Sequence, residues 1–354
     1  MAATATLSLA PSRNRATVLR RRQIFRLTFG LTVSSALAFG IAWPLSFITP
    51  VFAAKMLTSP RALPVKAQAG FLFLLWVGLT VGTELLLPLL SYPAVHLTFT
   101  GLILFLLFYA KAGGTNPLLI VFLLIGVIAV PLIGTVSPAL ARGVADGLFF
   151  AALVAVGTVY LAGVFFPDPP SSGVLANAAA ETLTDSPDSR AKALLALRSL
   201  AVLFPLVVVF QLYSMTNASV TLVFAMMLSL EPSYGTHLRA GSDLILANLS
   251  GGLVAVVLYR LLVIVPSFPF FLMLTTAAGL IIGNQIFAET KIGKLLSSGV
   301  TAVFVVLGPT LTGDAAAGST LAIRLFFIFA GVIYVVLGFG LLERLTRGSR
   351  SSVS

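Results

Sequence analysis

The sequence predicts an all-α polytopic membrane protein of about twelve transmembrane helices, arranged as two parallel six-helix repeats that each open with a short hairpin. Of 354 residues 58% are hydrophobic and only 9% charged, with a mean hydropathy of +1.06. A soluble domain carries about 25% charged residues, so a water-soluble globule is excluded. Apolar runs of about 20 residues, enough to cross a hydrocarbon core of about 30 Å, recur along the whole chain. An offset of 172 residues also brings two long stretches into gapless register.

Residues 1–22 are rich in Ala, Ser, Thr and Arg without apolar periodicity and read as a disordered cytoplasmic arm. The run of three arginines at Arg20, Arg21 and Arg22 before an apolar stretch also resembles a secretory or twin-arginine signal. The first repeat is expected over 23–166. Its opening stretch, 26–59, is too long for one crossing and is broken at Trp43 and Pro44, so it reads as a tight helical hairpin. Single crossings are expected over 68–90, 93–110, 117–136 and 144–166. The segment 167–196 holds Pro167, Pro169, Pro170 and several acidic residues and reads as a solvated cytoplasmic linker. The second repeat, 197–343, opens with a hairpin at 198–231, broken between Ser214 and Ser219, followed by runs at 243–265, 267–287, 295–312 and 320–342. Residues 344–354 form a cytoplasmic tail.

The charge distribution orients this arrangement. With the N-terminus inside, the cytoplasmic loops and ends collect all of the 22 lysines and arginines except Arg142, Arg260, Arg324 and Lys55. Basic residues concentrate on the cytoplasmic side of membrane proteins, which places both termini in the cytoplasm. The formal net charge of +11 then reflects sidedness rather than affinity for nucleic acid.

At the 172-residue offset Arg26 falls on Arg198, Thr49 on Thr221, Val51, Phe52 and Ala53 on Val223, Phe224 and Ala225, and Pro60 on Pro232. An Arg opens each hairpin and a Pro closes each, so the two hairpins are expected to superpose. The stretch 26–59 supplies about 51 Å of helix where two crossings take about 60 Å, which leaves the hairpin either in a thinned bilayer or partly re-entrant. Short, interrupted segments at matching positions of two repeats point to a transport site.

The second hairpin runs into Leu230, Glu231, Pro232, Ser233, Tyr234, Gly235, Thr236, His237, Leu238 and Arg239, then into Asn248, Leu249, Ser250, Gly251 and Gly252. This pattern of a Pro-Ser and Gly-Thr turn, a basic residue and a Gly-rich helix face resembles the fusaric acid resistance and aromatic acid exporter family. The resemblance covers 198–342 best and 20–166 through the repeat. It is to a compact branch without the large cytoplasmic domains of the longer members, and Asp243 stands where the family more often has a basic residue. What it implies is an inner-membrane efflux protein for small, often aromatic, organic acids, working with a periplasmic adaptor of the membrane-fusion type.

Ionisable groups at membrane depth are functional candidates by default. Lys55, inside the first hairpin, either binds an anionic substrate or snorkels to the interface. Arg26 and Arg198 read as anchors at the inner leaflet, and Glu84 as a proton-exchange group or an exposed helix end. Arg239 and Asp243 lie one turn apart, where an ion pair competes with proton coupling as the reading. Asn217 and Asn248 can bridge helices. Gly251 and Gly252, and Gly279 with Gly283, are small-residue contact faces. His237 and His96 read as residues of a loop and of a helix start.

Several chemistries are excluded. The chain has Cys 0 and His 2, which removes disulfides and leaves no histidine-based or cysteine-based metal site. No phosphate-binding Gly-Lys-Ser/Thr loop, HExxH or Ser-His-Asp spacing is visible. No cofactor is expected. The expected partners are membrane lipid, a periplasmic adaptor and a small organic anion, with a homo-oligomer as a further option and no nucleic acid. The expectation is therefore a non-enzymatic, proton-coupled exporter. The alternative is a membrane scaffold subunit that docks an adaptor or an envelope enzyme without transporting anything.

Overall fold

A computed structural model describes residues 10–351 except 44, 60, 116, 168–187, 216–221, 223–224, 227–228, 230–233, 289 and 312–316. Among the described residues the chain is helical and contains no strand. Helix α1 runs over Ala10–Ile41 and α2 over Ile48–Leu57. Helix α3, Val65–Thr80, continues through a π-helical turn, Val81–Leu86, and a 3-10 turn, Pro88–Ser91. Helix α4 spans Pro93–Ala112. Helix α5, Pro117–Leu124, passes through a second π turn, Ile125–Ala129, into α6, Val130–Gly134. Helices α7, Pro138–Phe165, and α8, Ser189–Leu212, precede α9, Tyr234–Ile264, α10, Phe268–Ile286, α11, Lys291–Leu311, and α12, Ala317–Ser351.

Among the described residues seven stretches are long and apolar enough to cross a membrane: Thr17–Ile41, Val65–Ser91, Pro93–Ala112, Pro138–Phe165, Ser189–Leu212, Gly241–Ile264 and Phe268–Ile286. The shorter apolar helices are Ile48–Leu57, Ile125–Gly134, Ile292–Gly308 and Leu325–Leu341. Helix α2 has 10 residues, about 15 Å of helix, so it reaches only half of a hydrocarbon core. The returning arm of the first hairpin is therefore not a full crossing by itself. Residues 10–22, expected as a disordered arm, form the first turns of α1 instead. Ala and Arg are strong helix formers, and extending a helix costs far less than starting one.

The two π turns have a local cause. A proline lacks an N–H and crowds the carbonyl four residues earlier, and Pro88 and Pro131 follow the two turns. In the first, Leu87 N–H reaches back to Gly82 O at 2.9 Å, one residue further than in an α-helix.

The described residues fall into two compact units. The first draws on 1–68, 150–179 and 246–321, and the second on 69–149, 180–245 and 322–354. In the first unit α1 packs along α10, with Thr32 and Thr276 hydroxyls 3.0 Å apart. Gly279 admits Thr28, whose Cα would lie 3.1 Å from a Cβ there, and Gly283 admits Leu27. Helix α2 lies between α1 and α11. Helices α9 and α11 touch backbone to backbone at Gly251 and Gly299. In the second unit α8 packs along α4. The two π turns meet there at Gly82 and Gly126, again without side chains between them. Its core is Leu104, Leu124, Ile128, Leu132, Leu203 and Val207 with their neighbours.

Candidate functional site

Arg26 lies inside the Thr17–Ile41 span rather than at its end, and its side chain is 2% exposed. A charge at that depth is expensive unless protein or water receives it. The end of α2 does so: Arg26 Nη2 donates to the Ser59 carbonyl at 3.2 Å. The last carbonyls of a helix lack partners within it and carry the negative end of its dipole, so the sequence places a cation where one is stabilised.

A cavity of about 290 Å³ opens beside this guanidinium, walled by α2, the 58–64 connection, the start of α3 and the end of α7. Met56, Leu57, Leu63 and Val159 make its lining apolar, and among the described residues none of the lining is acidic. Gln68, 5% exposed, adds an amide fixed by a 2.7 Å bond from its Nε2 to the Leu63 carbonyl. Tyr160, half exposed, supplies a phenol. Gly163 keeps the α7 wall open, since a Cβ there would meet nothing within 4 Å. The α7 wall is held against α1 by Phe25 and Phe29 packing on Phe165 and Phe166, and by Arg22 donating to the Pro167 carbonyl at 3.0 Å. Among the described residues the recess is apolar with one permanent cation, which suits a small organic anion, the charge on Arg26 and the carbon skeleton on the apolar wall.

The residues singled out in the sequence scatter. Lys55 is on the exposed face of α2 and does not line this cavity. Glu84 is exposed on the first π turn, and Asp243 is exposed on α9. Arg239 is in α9 with its side chain outside the described residues, and Asn217, Pro60 and Pro232 lie outside them altogether. Asn248, Gly251 and Gly252 are buried in α9, and Arg198 is half-buried in α8. Asn284 takes two bonds from Arg20, at 2.9 and 2.8 Å, joining α10 to α1. Among these, the structure brings only Arg26 to the cavity. Sequence reasoning missed that Arg26 and His96 are each 2% exposed. The available signal for Arg26 was that Ile24 and Phe25 set it apart from Arg20, Arg21 and Arg22 and that an apolar run follows it.

A family model described as a protein of unknown function (DUF2955) matches residues 23–162, which include Arg26, His96 and most of the cavity lining. No curated protein and no solved structure matches the chain.

Proposed function

We propose that this protein is an inner-membrane exporter of small organic acids, aromatic ones included, and that the Arg26 cavity binds the carboxylate. The observation that carries the reading is a buried arginine within an apolar span, beside a recess whose described lining holds no acidic residue. The resemblance of 230–252 to the aromatic acid exporters supports the substrate class. Proton coupling and a periplasmic adaptor belong to the same reading, as does the arrangement of both termini in the cytoplasm.

Two parallel repeats belong to it as well. At the 172-residue offset, α1 corresponds to α8 and α4 to α10, so the α1–α10 and α8–α4 pairings are one pairing made twice. Each first arm ends on a non-glycine residue in the left-handed region, Ala42 at φ 54 and its counterpart Ser214 at φ 49. These agreements support the repeat and, with the short segments counted, the twelve-segment plan.

Efflux of radiolabelled benzoate from proteoliposomes tests the function. The expected result is a flux above protein-free vesicles that rises with an imposed pH gradient and falls about ten-fold or more in Arg26→Met, consistent with loss of a charge-assisted bond. Flux equal to protein-free vesicles for benzoate and for short aliphatic acids contradicts export and favours the scaffold alternative.

A further inference from the structure

The second unit holds a buried polar cluster on α4 and α8 that the anion cavity does not use. His96 has an oxygen 3.0 Å from each ring nitrogen: the Leu86 carbonyl at Nδ1 and Gln211 Oε1 at Nε2. The Thr100 hydroxyl lies 3.5 Å from Nε2. The Leu86 carbonyl is available because Pro88 diverts the chain into a 3-10 turn, in which Leu90 N–H bonds Leu87 O instead. Gln211 is 7% exposed, and its Nε2 has no hydrogen-bond partner among the described residues.

These contacts accommodate two protonation states. A neutral imidazole has one N–H and can serve only one of two acceptor oxygens, whereas an imidazolium serves both. Turning the Gln211 amide over satisfies the neutral ring equally well: Nδ1–H donates to Leu86 O, and the Gln211 N–H donates to Nε2. Both ring nitrogens are bonded in either state, and a half-turn of one terminal amide separates the two. An amide whose N–H group lacks a partner while its oxygen faces a ring nitrogen is what this two-state arrangement produces.

We propose that His96 and Gln211 form a proton-binding site, in which Nε2 takes up a proton from water and the Gln211 amide turns to present its oxygen. Its use as the coupling site of transport rests on the exporter reading, whereas proton uptake itself does not. The groups that face it are few. Helix α4 packs against α8, α5, the two π turns and the 3-10 turn. Of these, α5, the second π turn and the 3-10 turn carry no titratable group, and the cations of α8, Arg190, Lys192 and Arg198, lie towards its opposite end from Gln211. Lys111 is at the far end of α4, with Tyr109. Glu84, exposed and two residues before Leu86, is the carboxylate on these elements.

Because the chain has His 2, His237→Asn leaves His96 as the sole histidine. Nuclear magnetic resonance of this variant in nanodiscs, with isotopically labelled histidine and glutamine, reads the site without any transported substrate. The expected result is a ring that passes from neutral Nδ1–H to imidazolium as the pH is lowered, with a Gln211 amide signal moving over the same range. Adding Gln211→Leu removes the acceptor and moves the midpoint down by about one pH unit; Gln211→Glu, an isostere, moves it up by at least about as much. A His96 ring that keeps one tautomer over the whole range overturns the proposal, as does a midpoint indifferent to both Gln211 variants. Titration without benzoate flux overturns the exporter reading alone, and flux without titration overturns the proton site alone.

Discussion

In the first unit α1 ends at left-handed Ala42 and packs along α10; in the second α8 ends at left-handed Ser214 and packs along α4. Around these two similar pairings the polar groups are placed differently. The first unit has a cavity at Gly163 and Tyr160, whereas the residues 172 positions on are Val335 and Val332, both buried. Next to them Tyr334 donates to the Val202 carbonyl at 2.9 Å, where the first unit has Ala162. The reverse holds where α4 meets α8. The second unit has His96 against Gln211, and the corresponding residues of the first are Phe268 and Phe39, both in ring contact with Phe271. The backbone differs too: the π turns precede Pro88 and Pro131, whose counterparts Arg260 and Val303 sit in uninterrupted helix. On the proposed reading of two repeats, one unit holds the recess beside Arg26 and the other the His96–Gln211 pair.

The largest expected effect breaks the plan itself. A side chain at Gly126 or Gly251 would fall on the backbone of Gly78 or Gly299, so Gly126→Val and Gly251→Val should each cost at least about 1–3 kcal/mol and strip the protein from the monodisperse fraction in detergent. Wild-type yield for either would show that the crossings are loosely packed. Next comes the asymmetry of the two arginines. Arg26→Met should reduce benzoate flux about ten-fold or more at equal abundance, and Arg198→Met by less than about two-fold; equal losses would make both arginines anchors and erase the difference between units.

The buried pair gives a smaller effect of a distinctive kind. His96→Phe alone leaves Gln211 without its ring partner and should cost about 1–3 kcal/mol of stability, whereas His96→Phe with Gln211→Phe, which copies the first unit, should recover most of it. Thermal unfolding of the three proteins checks this, and a double variant no more stable than the single one would show that the two sites do not correspond. Gly163→Val, which copies Val335, should lower flux several-fold with an unchanged Tm, because the added methyls enter open space. The smallest effect is expected for Lys55→Met. Lys55 is exposed on α2 and outside the cavity, so flux should stay within about two-fold of wild type, and a larger loss would return Lys55 to the site.

The helical elements were legible because their signal is local. The runs expected at 93–110 and 267–287 are α4, Pro93–Ala112, and α10, Phe268–Ile286, each bounded by a proline that the sequence displays. The run at 117–136 was seen, but not its π turn, although Pro131 marks the place. Composition alone misjudged 10–22, where helix propagation outweighs the absence of an apolar face. The site was harder to read. Whether Arg26 snorkels or is buried depends on Ser59, 33 residues away along the chain, and whether His96 is solvated depends on Gln211, 115 residues away. No periodicity encodes such partners. Lys55 stood out in the sequence for its isolation among apolar neighbours, yet isolation in sequence does not say which face of a helix a side chain takes.

Equilibrium binding of radiolabelled benzoate to the purified protein, compared with Arg26→Met and Gly163→Val, tests the central claim most directly. The account predicts saturable binding to the wild type that is abolished in the first variant and weakened several-fold in the second. Binding of equal strength to all three would contradict it, because neither the buried guanidinium nor the open wall of α7 would then form the carboxylate site.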